Sequence, residues 1–323
     1  MPDNTEFKKV VASADIGSNY LYHVFAVCRI NFDSQYADKH RDSVNSNDVN
    51  LMRSLSALLS FGGGLGGALV DFVIAGPLYR GFESDDEFRE YYSRLDEALR
   101  DGCYDSFIER YELGEKHQAP WFEMEPRDLE VVKEHRRTLQ DIGRVFRDNF
   151  ATYATHIWPQ EKSKLESIAA IVENHFSGSK VIGAWESLTQ ITFKRPEFRA
   201  VLCSAIANGP NANSFAYDKV VFYHETPIPK LLDLIVHEVG THILVEPFKK
   251  ILDSGAYNRR DLFHAYECIA SYFTSSIVGR PLHYDLAAFR QEMFDLRIGH
   301  ILEQTPSISV DDLLIELTKS CSK

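Results

Sequence analysis

The sequence predicts an α+β protein that is mostly helical, with a small sheet beside one apolar helix. Several long segments have the 3.6-residue periodicity of helices and start at capping residues. Aromatic and β-branched residues are concentrated between 199 and 224, which favours strands. The apolar helix follows them and contains the sequence HEVGTH at 237–242. We expect a helical region over 1–180, serving as a lid or a partner-binding part, and a second region over 181–323 that carries HEVGTH.

The first region is predicted to contain successive helices. Ser84 and Glu87 form a capping box, which indicates the start of a charged helix. Pro159 suits the first turn of another helix. The apolar segment 20–30 fits either a strand or a buried helix. The predicted helices of this region are 49–60, 84–100, 126–153 and 159–176.

The second region begins with strands and ends with helices. Strands are predicted over 199–206 and 214–224, because the turn-forming cluster 208–211 separates them. Pro227 and Pro229 end the second strand and precede the HEVGTH helix. The predicted helices of this region are 228–252, 259–277, 285–303 and 310–319, the last capped by Ser309.

Composition narrows the class of partner and the compartment. The chain has 323 residues and a formal net charge of −12. An acidic surface repels nucleic acid and anionic membranes, so we expect neither as the main partner. No signal peptide is visible, and no segment has the roughly 18 apolar residues of a membrane helix. The five cysteines contain no C-x-x-C pair, which predicts neither disulfides nor a thiolate zinc site. A cytoplasmic protein of undetermined oligomeric state fits these features.

His237, Glu238 and His242 are the residue types that a catalytic zinc site requires. Neutral imidazoles bind zinc, and a neighbouring carboxylate can take a proton from water at the metal. The two histidines are five residues apart, and on a regular helix this spacing rotates them by about 140°. Both reach one ion only if the helix widens locally. Gly240 beside β-branched Thr241 therefore predicts a π-bulge within the motif.

The surroundings of the motif make its polar groups costly to bury. Apolar residues dominate 231–236 and 243–245, so the helix is buried on most sides. Two histidines and a glutamate in such a helix need partners. We interpret them as a metal site. The alternative is a pair of core histidines hydrogen-bonded to backbone or carboxylate groups.

A third metal ligand is expected on the following helix. Glu267 is the only acidic residue in the middle of that helix, and small Ala270 and Ser271 after it allow close packing. We predict that Glu267 binds the metal. His264, one turn earlier, is the main alternative ligand, and a carboxylate paired with an arginine is the alternative role for Glu267.

The H-E-x-x-x-H helix followed by Glu267-x-x-Ala270 resembles the gluzincin-type metallopeptidases with the longer spacing. These include the microtubule-associated tyrosine carboxypeptidases and their bacterial relatives with a QEGLA segment. The resemblance covers about 200–280 and implies a zincin-like fold, zinc on His237, His242 and Glu267, Glu238 as general base, and hydrolysis of peptide bonds in a peptide or protein substrate. Other residues replace the Gln, Gly and Leu of QEGLA, so the same specificity is not implied; they are Tyr266, Cys268 and Ile269.

A peptidase also needs a second electrophile for the oxyanion of the transition state. Tyrosines and histidines near the motif in sequence are the candidates: Tyr223, His224, Tyr266, His283 and Tyr284. The segment 214–223 fits an edge strand that pairs with an extended substrate. It fits an ordinary core strand equally well.

Two glycine-containing segments suggest other functions. Asp15-Ile16-Gly17-Ser18-Asn19 resembles the first phosphate loop of the actin-like ATPase and exopolyphosphatase families. Those families need a second Asp-Gly-Gly-Gly segment, whereas Phe61 precedes the glycines at 62–64 in this chain. Lys8 and Lys9 also make a poor first strand, so we predict a turn around Asp15, Gly17 and Ser18. The glycines at 62, 64 and 67 match a dinucleotide fingerprint but follow a predicted helix, which favours a simple glycine loop.

Three functions remain open from the sequence. The leading one is a zinc peptidase, and the second is a zinc hydrolase that acts on a non-peptide amide or ester. The third is a non-catalytic helical module. Glu238 argues against the third, because a purely structural zinc site has no use for a base.

Overall fold

The computed structural model describes residues 8–30, 34–59, 77, 80, 82, 84–111, 130, 132–206, 212–284 and 291–321. These residues form mostly helices and one small sheet, which confirms the α+β class. The predicted glycine loop at 62–67 and the turn cluster 208–211 lie outside them. None of the helices among these residues combines the length and apolar character needed to cross a bilayer.

Contacts between residues divide the chain into two compact units. The first, which we call the motif unit, comprises 1–11, 174–198 and 226–323. The second, which we call the aromatic unit, comprises 12–173 and 199–225. Each unit combines segments that are distant in sequence. The predicted division near residue 180 stays a prediction.

Helices far outnumber strands in the described part of the chain. The helices, in chain order, are α1 (Ile16–Val27), α2 (Gln35–His40), α3 (Ser46–Ser54), α4 (Ser56–Leu59), α5 (Asp85–Asp101), α6 (Tyr104–Arg110), α7 (Arg136–His156), α8 (Trp158–Phe176), α9 (Val181–Thr189), α10 (Ile228–Asp253), α11 (Arg259–Val278), α12 (Gln291–Gln304) and α13 (Val310–Cys321). The strands are β1 (Lys9–Ser13), β2 (Glu197–Cys203), β3 (Ala212–Ala216) and β4 (Lys219–Tyr223).

Helices with a capping signal agree with their predicted bounds. The Ser84 side chain accepts a hydrogen bond from the amide of Glu87, and α5 ends at Gly102 in the left-handed conformation with φ of 74°. Ser309 caps α13 in the same way, accepting from the Asp312 amide at 3.1 Å. The start predicted for α12 falls at 285–290, outside the described residues.

The predicted turn around Asp15 is wrong. Strand β1 precedes this residue, and α1 begins directly after it, so residues 20–27 of the segment 20–30 belong to a buried helix. Asp15 is the N-cap of α1, because its carboxylate accepts from the Ser18 amide at 2.6 Å. Lys9 does not prevent the strand, because Lys9 is exposed while Val10 and Ala12 are buried.

The sheet has the strand order β1-β2-β4-β3. Strands β2 and β4 run parallel, with Arg199 opposite Lys219 and Cys203 opposite Tyr223. Strand β3 pairs antiparallel with β4. The segment 214–223, which the sequence predicts as an edge strand or a core strand, contains parts of both β3 and β4. Strand β3 lies at an edge of the sheet, whereas β4 is an interior strand.

Aromatic rings form much of the core of the aromatic unit. Tyr20 on α1 is fully buried, and its ring meets those of Phe88 and Phe150 edge to face, with centroids 5.2 and 4.9 Å apart. The Tyr20 hydroxyl donates to the carbonyl of Phe146 at 2.7 Å, which satisfies its polar end. In the motif unit, by contrast, helices pack on helices: α10 contacts α9, α11 and α13.

Candidate metal centre

Helix α10 carries the HEVGTH motif at 237–242 through the interior of the motif unit. Pro227 caps its start and Pro229 lies in its first turn, where a missing amide costs nothing. His237 and His242 are only 3% and 4% exposed. Because burial of an imidazole without a partner is unfavourable, the contacts of each ring decide what it can do.

His237 meets Glu267 of the neighbouring helix α11. Its Nε2 lies 3.2 Å from Glu267 Oε2, whereas its buried Nδ1 has no hydrogen-bond partner among the described residues. Burial by itself lowers the pKa of His237, but the hydrogen bond and charge of Glu267, with the charge of Glu238, raise that pKa above its usual value. The ring thus sits in a negatively charged environment.

The separation of His237 and Glu267 suits a shared metal ion as well as a hydrogen bond. Zinc bonds of about 2.0–2.2 Å place two tetrahedral ligand atoms about 3.3 Å apart, close to the 3.2 Å observed. The predicted contact between these two residues is present. No partner among the described residues orients the second ring nitrogen of His237, which metal-bound histidines usually have.

His242 is not beside this pair. Helix α10 is a regular α-helix through the motif, so the prediction of a π-bulge at Gly240 is wrong. The His242 ring instead lies edge-on to Phe198, with centroids 5.4 Å apart. Within the described ranges, no three His, Cys, Asp or Glu side chains are grouped closely enough to hold a metal. Two of the three predicted ligands are therefore together, and the third faces elsewhere.

Trp185 on α9 packs directly against Gly240. A Cβ at Gly240 would lie 2.0 Å from the indole Cζ2, so glycine makes room for the ring of Trp185. The indole Nε1 donates to the carbonyl of Val236 at 2.9 Å. The sequence suggested that Gly240 loosens the backbone. In the structure, its missing side chain allows the distant Trp185 ring to approach the helix closely.

Glu238 follows His237 in the motif. Its side chain is partly exposed, and its Oε2 accepts a hydrogen bond from the Thr241 hydroxyl at 3.0 Å. The charge of Glu238 also acts on the pKa of His237 and of Tyr284. This carboxylate therefore faces the same region as the His237–Glu267 pair.

Tyr266 and Tyr284, two tyrosines of the motif unit, differ in the contacts of their side chains. Tyr266 is fully buried, and its hydroxyl donates to the carbonyl of Thr241 at 2.6 Å. Tyr284 lies with its ring 5.5 Å from that of His237. Burial and the charges of Glu238 and Glu267 raise the pKa of Tyr284, and hydrogen bonds with Ser271 and Thr274 offset part of that rise. Of the contacts of these two tyrosines, the ring contact of Tyr284 is the one that involves His237.

An ion pair that the sequence did not indicate holds the segment leading to Tyr284. Asp233 on α10 is 1% exposed, and both of its oxygens accept from the Arg280 guanidinium at 2.7 and 2.9 Å. The backbone amide of His283 donates to the same carboxylate at 2.7 Å. These contacts attach residues 280–283 to α10 at a point one turn before His237.

Tyr223 and His224 lie in the aromatic unit, at the end of β4. The Tyr223 hydroxyl donates to Glu225 Oε2 at 2.7 Å, and His224 Nδ1 lies 3.3 Å from the carbonyl of Cys203. Both residues line a cavity of about 630 Å³, together with Tyr36 and other residues of that unit. Their predicted role in stabilising an oxyanion at the metal stays a prediction.

The start of α1 is already capped by the carboxylate of Asp15. The carboxylate of Asp15 accepts from the amide and hydroxyl of Ser18, at 2.6 and 2.9 Å, and lies 3.2 Å from Lys219 Nζ. A carboxylate of the chain itself therefore takes the anion position at the start of α1. This arrangement disfavours the resemblance to a phosphate loop.

Comparisons of the chain with protein-family models, with curated proteins and with solved structures gave no match.

Proposed function

We propose that this chain is a zinc-dependent peptidase of the zincin-like class, with Glu238 as general base. His237 and Glu267 would hold the ion, and His242 is the third proposed ligand. The observation that carries the proposal is the pair of His237 Nε2 and Glu267 Oε2, 3.2 Å apart on two different helices, beside Glu238. To join them, His242 would have to leave its contact with Phe198.

When bound, zinc would lower the pKa of a water molecule and polarise the carbonyl group of the substrate. Glu238, held by the Thr241 hydroxyl, would accept a proton and return it to the leaving amine. The protonated hydroxyl of Tyr284 would donate a hydrogen bond to negative charge that develops on the substrate oxygen. The Asp233–Arg280 ion pair would act as a positioning contact for the segment before Tyr284.

The rest of the chain fits an enzyme of the cytoplasm that acts on peptides. Among the described residues, Cys28, Cys103, Cys203 and Cys268 form no disulfide bond, which suits a reducing compartment. The net charge of −12 disfavours nucleic acid and anionic membranes as partners. A peptide or protein is therefore the proposed substrate.

Metal analysis combined with a peptide-library assay tests the proposal. After purification with zinc, we expect about one zinc per wild-type chain and the same for Glu238→Gln, whose hydrolysis falls at least about 100-fold. His237→Ala and Glu267→Ala should weaken zinc binding. Glu246→Gln is the matched control, because this residue lies on the same helix, is exposed and pairs with Lys194. It should keep both zinc and activity.

Several results would overturn parts of the proposal. A wild-type chain that binds no zinc would leave His237 and Glu267 as a structural pair. Full hydrolysis by Glu238→Gln would remove the base assignment. Unchanged zinc affinity in His242→Ala would remove His242 from the ligands. Cleavage of simple esters or amides without any peptide cleavage would assign the centre to a non-peptide hydrolase.

A further inference from the structure

The cavity that Tyr223 and His224 line has polar walls and lies entirely within the aromatic unit. Its volume of about 630 Å³ falls within the range of about 300–1,000 Å³ typical of small-molecule sites. Helix α2, the first turns of α8 and the residues after β2 and β4 line it. Because β2 and β4 are parallel and Cys203 pairs with Tyr223, the residues that follow both strands meet at this end of the sheet.

One acidic residue of the cavity is already neutralised by the protein. Glu225 accepts from Lys164 Nζ at 2.8 Å and from the Tyr223 hydroxyl at 2.7 Å. These two hydrogen bonds lower the pKa of Glu225 to about 2. Lys164 and Glu225 thus form an ion pair in the wall, to which Tyr223 adds a hydrogen bond.

A hydrogen-bond chain fixes the direction of the Tyr36 hydroxyl. Ser43 Oγ donates to the carbonyl of His40 at 2.5 Å, so it must accept from His23 Nε2. Burial and the charge of His40 lower the pKa of His23 to about 3, so its ring is neutral and Nδ1 carries no proton. Tyr36 therefore donates to His23 Nδ1, and its hydroxyl oxygen also lies within hydrogen-bonding reach of Glu161.

Glu161 and Lys39 are the remaining charged residues of the wall. Glu161 accepts a hydrogen bond from the Tyr153 hydroxyl at 3.0 Å and lies within hydrogen-bonding reach of the Tyr36 hydroxyl. Burial raises the pKa of Glu161, and the hydrogen bonds of Tyr153 and Tyr36 and the charges of Lys39 and Lys164 offset part of that rise. The ammonium of Lys39 acts on Glu161 from α2. The wall thus offers one carboxyl group and one ammonium group to a ligand.

Two neutral groups of the wall also lack partners. The hydroxyl of Ser34 and the Nε2 of His40 are buried atoms without a hydrogen-bond partner among the described residues. Ser34 as a residue is only 6% exposed. Buried polar atoms of this kind usually have a partner, which a ligand in the cavity would supply.

We propose that this cavity binds a small zwitterion, an amino acid or a short peptide, with its ammonium at Glu161 and its carboxylate at Lys39. A ligand with a single charge would satisfy one of these groups and leave the other unmatched in a confined space. Ser34 and His40 would add neutral hydrogen bonds. This site is distinct from the HEVGTH motif and does not depend on zinc binding there.

Calorimetric titration of the full chain tests the charge requirement. The probes are L-alanine, L-leucine, L-glutamate, L-lysine and dialanine, and the tightest binder is then tested as its N-acetyl and amide derivatives. Loss of either ligand charge should weaken binding at least about tenfold. Lys39→Met should bind the parent compound and its amide equally. Glu161→Gln should bind the parent compound and its N-acetyl derivative equally.

Matched controls come from the same helix. Lys162→Met and Glu166→Gln remove exposed charges of α8 outside this cavity and should leave all affinities unchanged. Lys39 is exposed, so its variant should fold and keeps the test decisive even if Glu161→Gln does not fold. The proposal is overturned if no probe binds, if charged and blocked forms bind equally, or if Lys39→Met still distinguishes the amide.

Discussion

Two buried histidines, His23 on α1 and His237 on α10, differ because their partners differ. His23 contacts two hydroxyls, with Nδ1 2.8 Å from Tyr36 and Nε2 2.8 Å from Ser43. Burial lowers its pKa to about 3, and the ring is neutral. His237 is equally buried, yet Glu267 raises its pKa above the usual value.

This difference shows what distinguishes a structural histidine from a candidate ligand. A ring with both nitrogens bonded to neutral groups has no capacity left for a metal or substrate. His237 directs one nitrogen at a carboxylate, and the other has no partner among the described residues. Burial is common to both residues, so the charge and number of the partners carry the information.

The largest expected effect comes from disturbing the helix beneath His237. In Gly240→Ala the new Cβ would lie 2.0 Å from Trp185 Cζ2, inside a packed core. We expect the free energy of unfolding to fall by about 3 kcal/mol or more, measured by urea denaturation. The NMR shifts of the His237 ring should change, and those of His23 should not.

Gly183→Ala is the matched control for that substitution. Gly183 lies on α9, and a Cβ there would meet nothing within 4 Å. The free energy of unfolding should rise by about 0.5–1 kcal/mol, because alanine restricts the unfolded chain. Equal destabilisation by the two substitutions would contradict the role of Trp185.

A smaller effect should follow from removing the charge that distinguishes His237. Glu267→Gln keeps the shape of the side chain but not the charge-assisted hydrogen bond. In the presence of a chelator, we expect a loss of about 2 kcal/mol in the free energy of unfolding. Glu246→Gln on α10 removes an exposed carboxylate that pairs with Lys194. This control should change the free energy of unfolding by less than about 0.5 kcal/mol. A Glu267→Gln chain as stable as the control would show that the carboxylate does not support His237.

Features with a local signal were predictable from the sequence. Helix α5 has Ser84 and Glu87 at its start, and α10 follows two prolines with a long apolar run, so their bounds agree closely with prediction. The contact of Glu267 with His237 was also predictable, because motif chemistry limits the residue types that can meet there. Local sequence carries these signals within one or two turns.

Features that depend on distant contacts were not predictable. The indole of Trp185 reaches Val236 across 51 positions of sequence, and no local pattern announces it. For the same reason Gly240 suggested a bulge, although its missing side chain serves Trp185. The approach of Tyr284 to His237 likewise depends on a segment between two helices. Periodicity describes the face of a helix, and it does not identify what packs on that face.

The smallest expected effect tests His23 by pH. Since its folded pKa of about 3 lies below the unfolded value of 6.5, the neutral ring stabilises the fold fully above pH 6.5 and progressively less as pH falls toward 3. His40, with a folded pKa of about 4, acts in the same direction. Between pH 6 and 5, His23 should account for a loss of about 1 kcal/mol. In His23→Gln the fall in unfolding free energy over this interval should be smaller by that amount. An unchanged slope would mean that His23 takes up its proton without loss of the Tyr36 and Ser43 hydrogen bonds, and the contrast with His237 would then not rest on protonation.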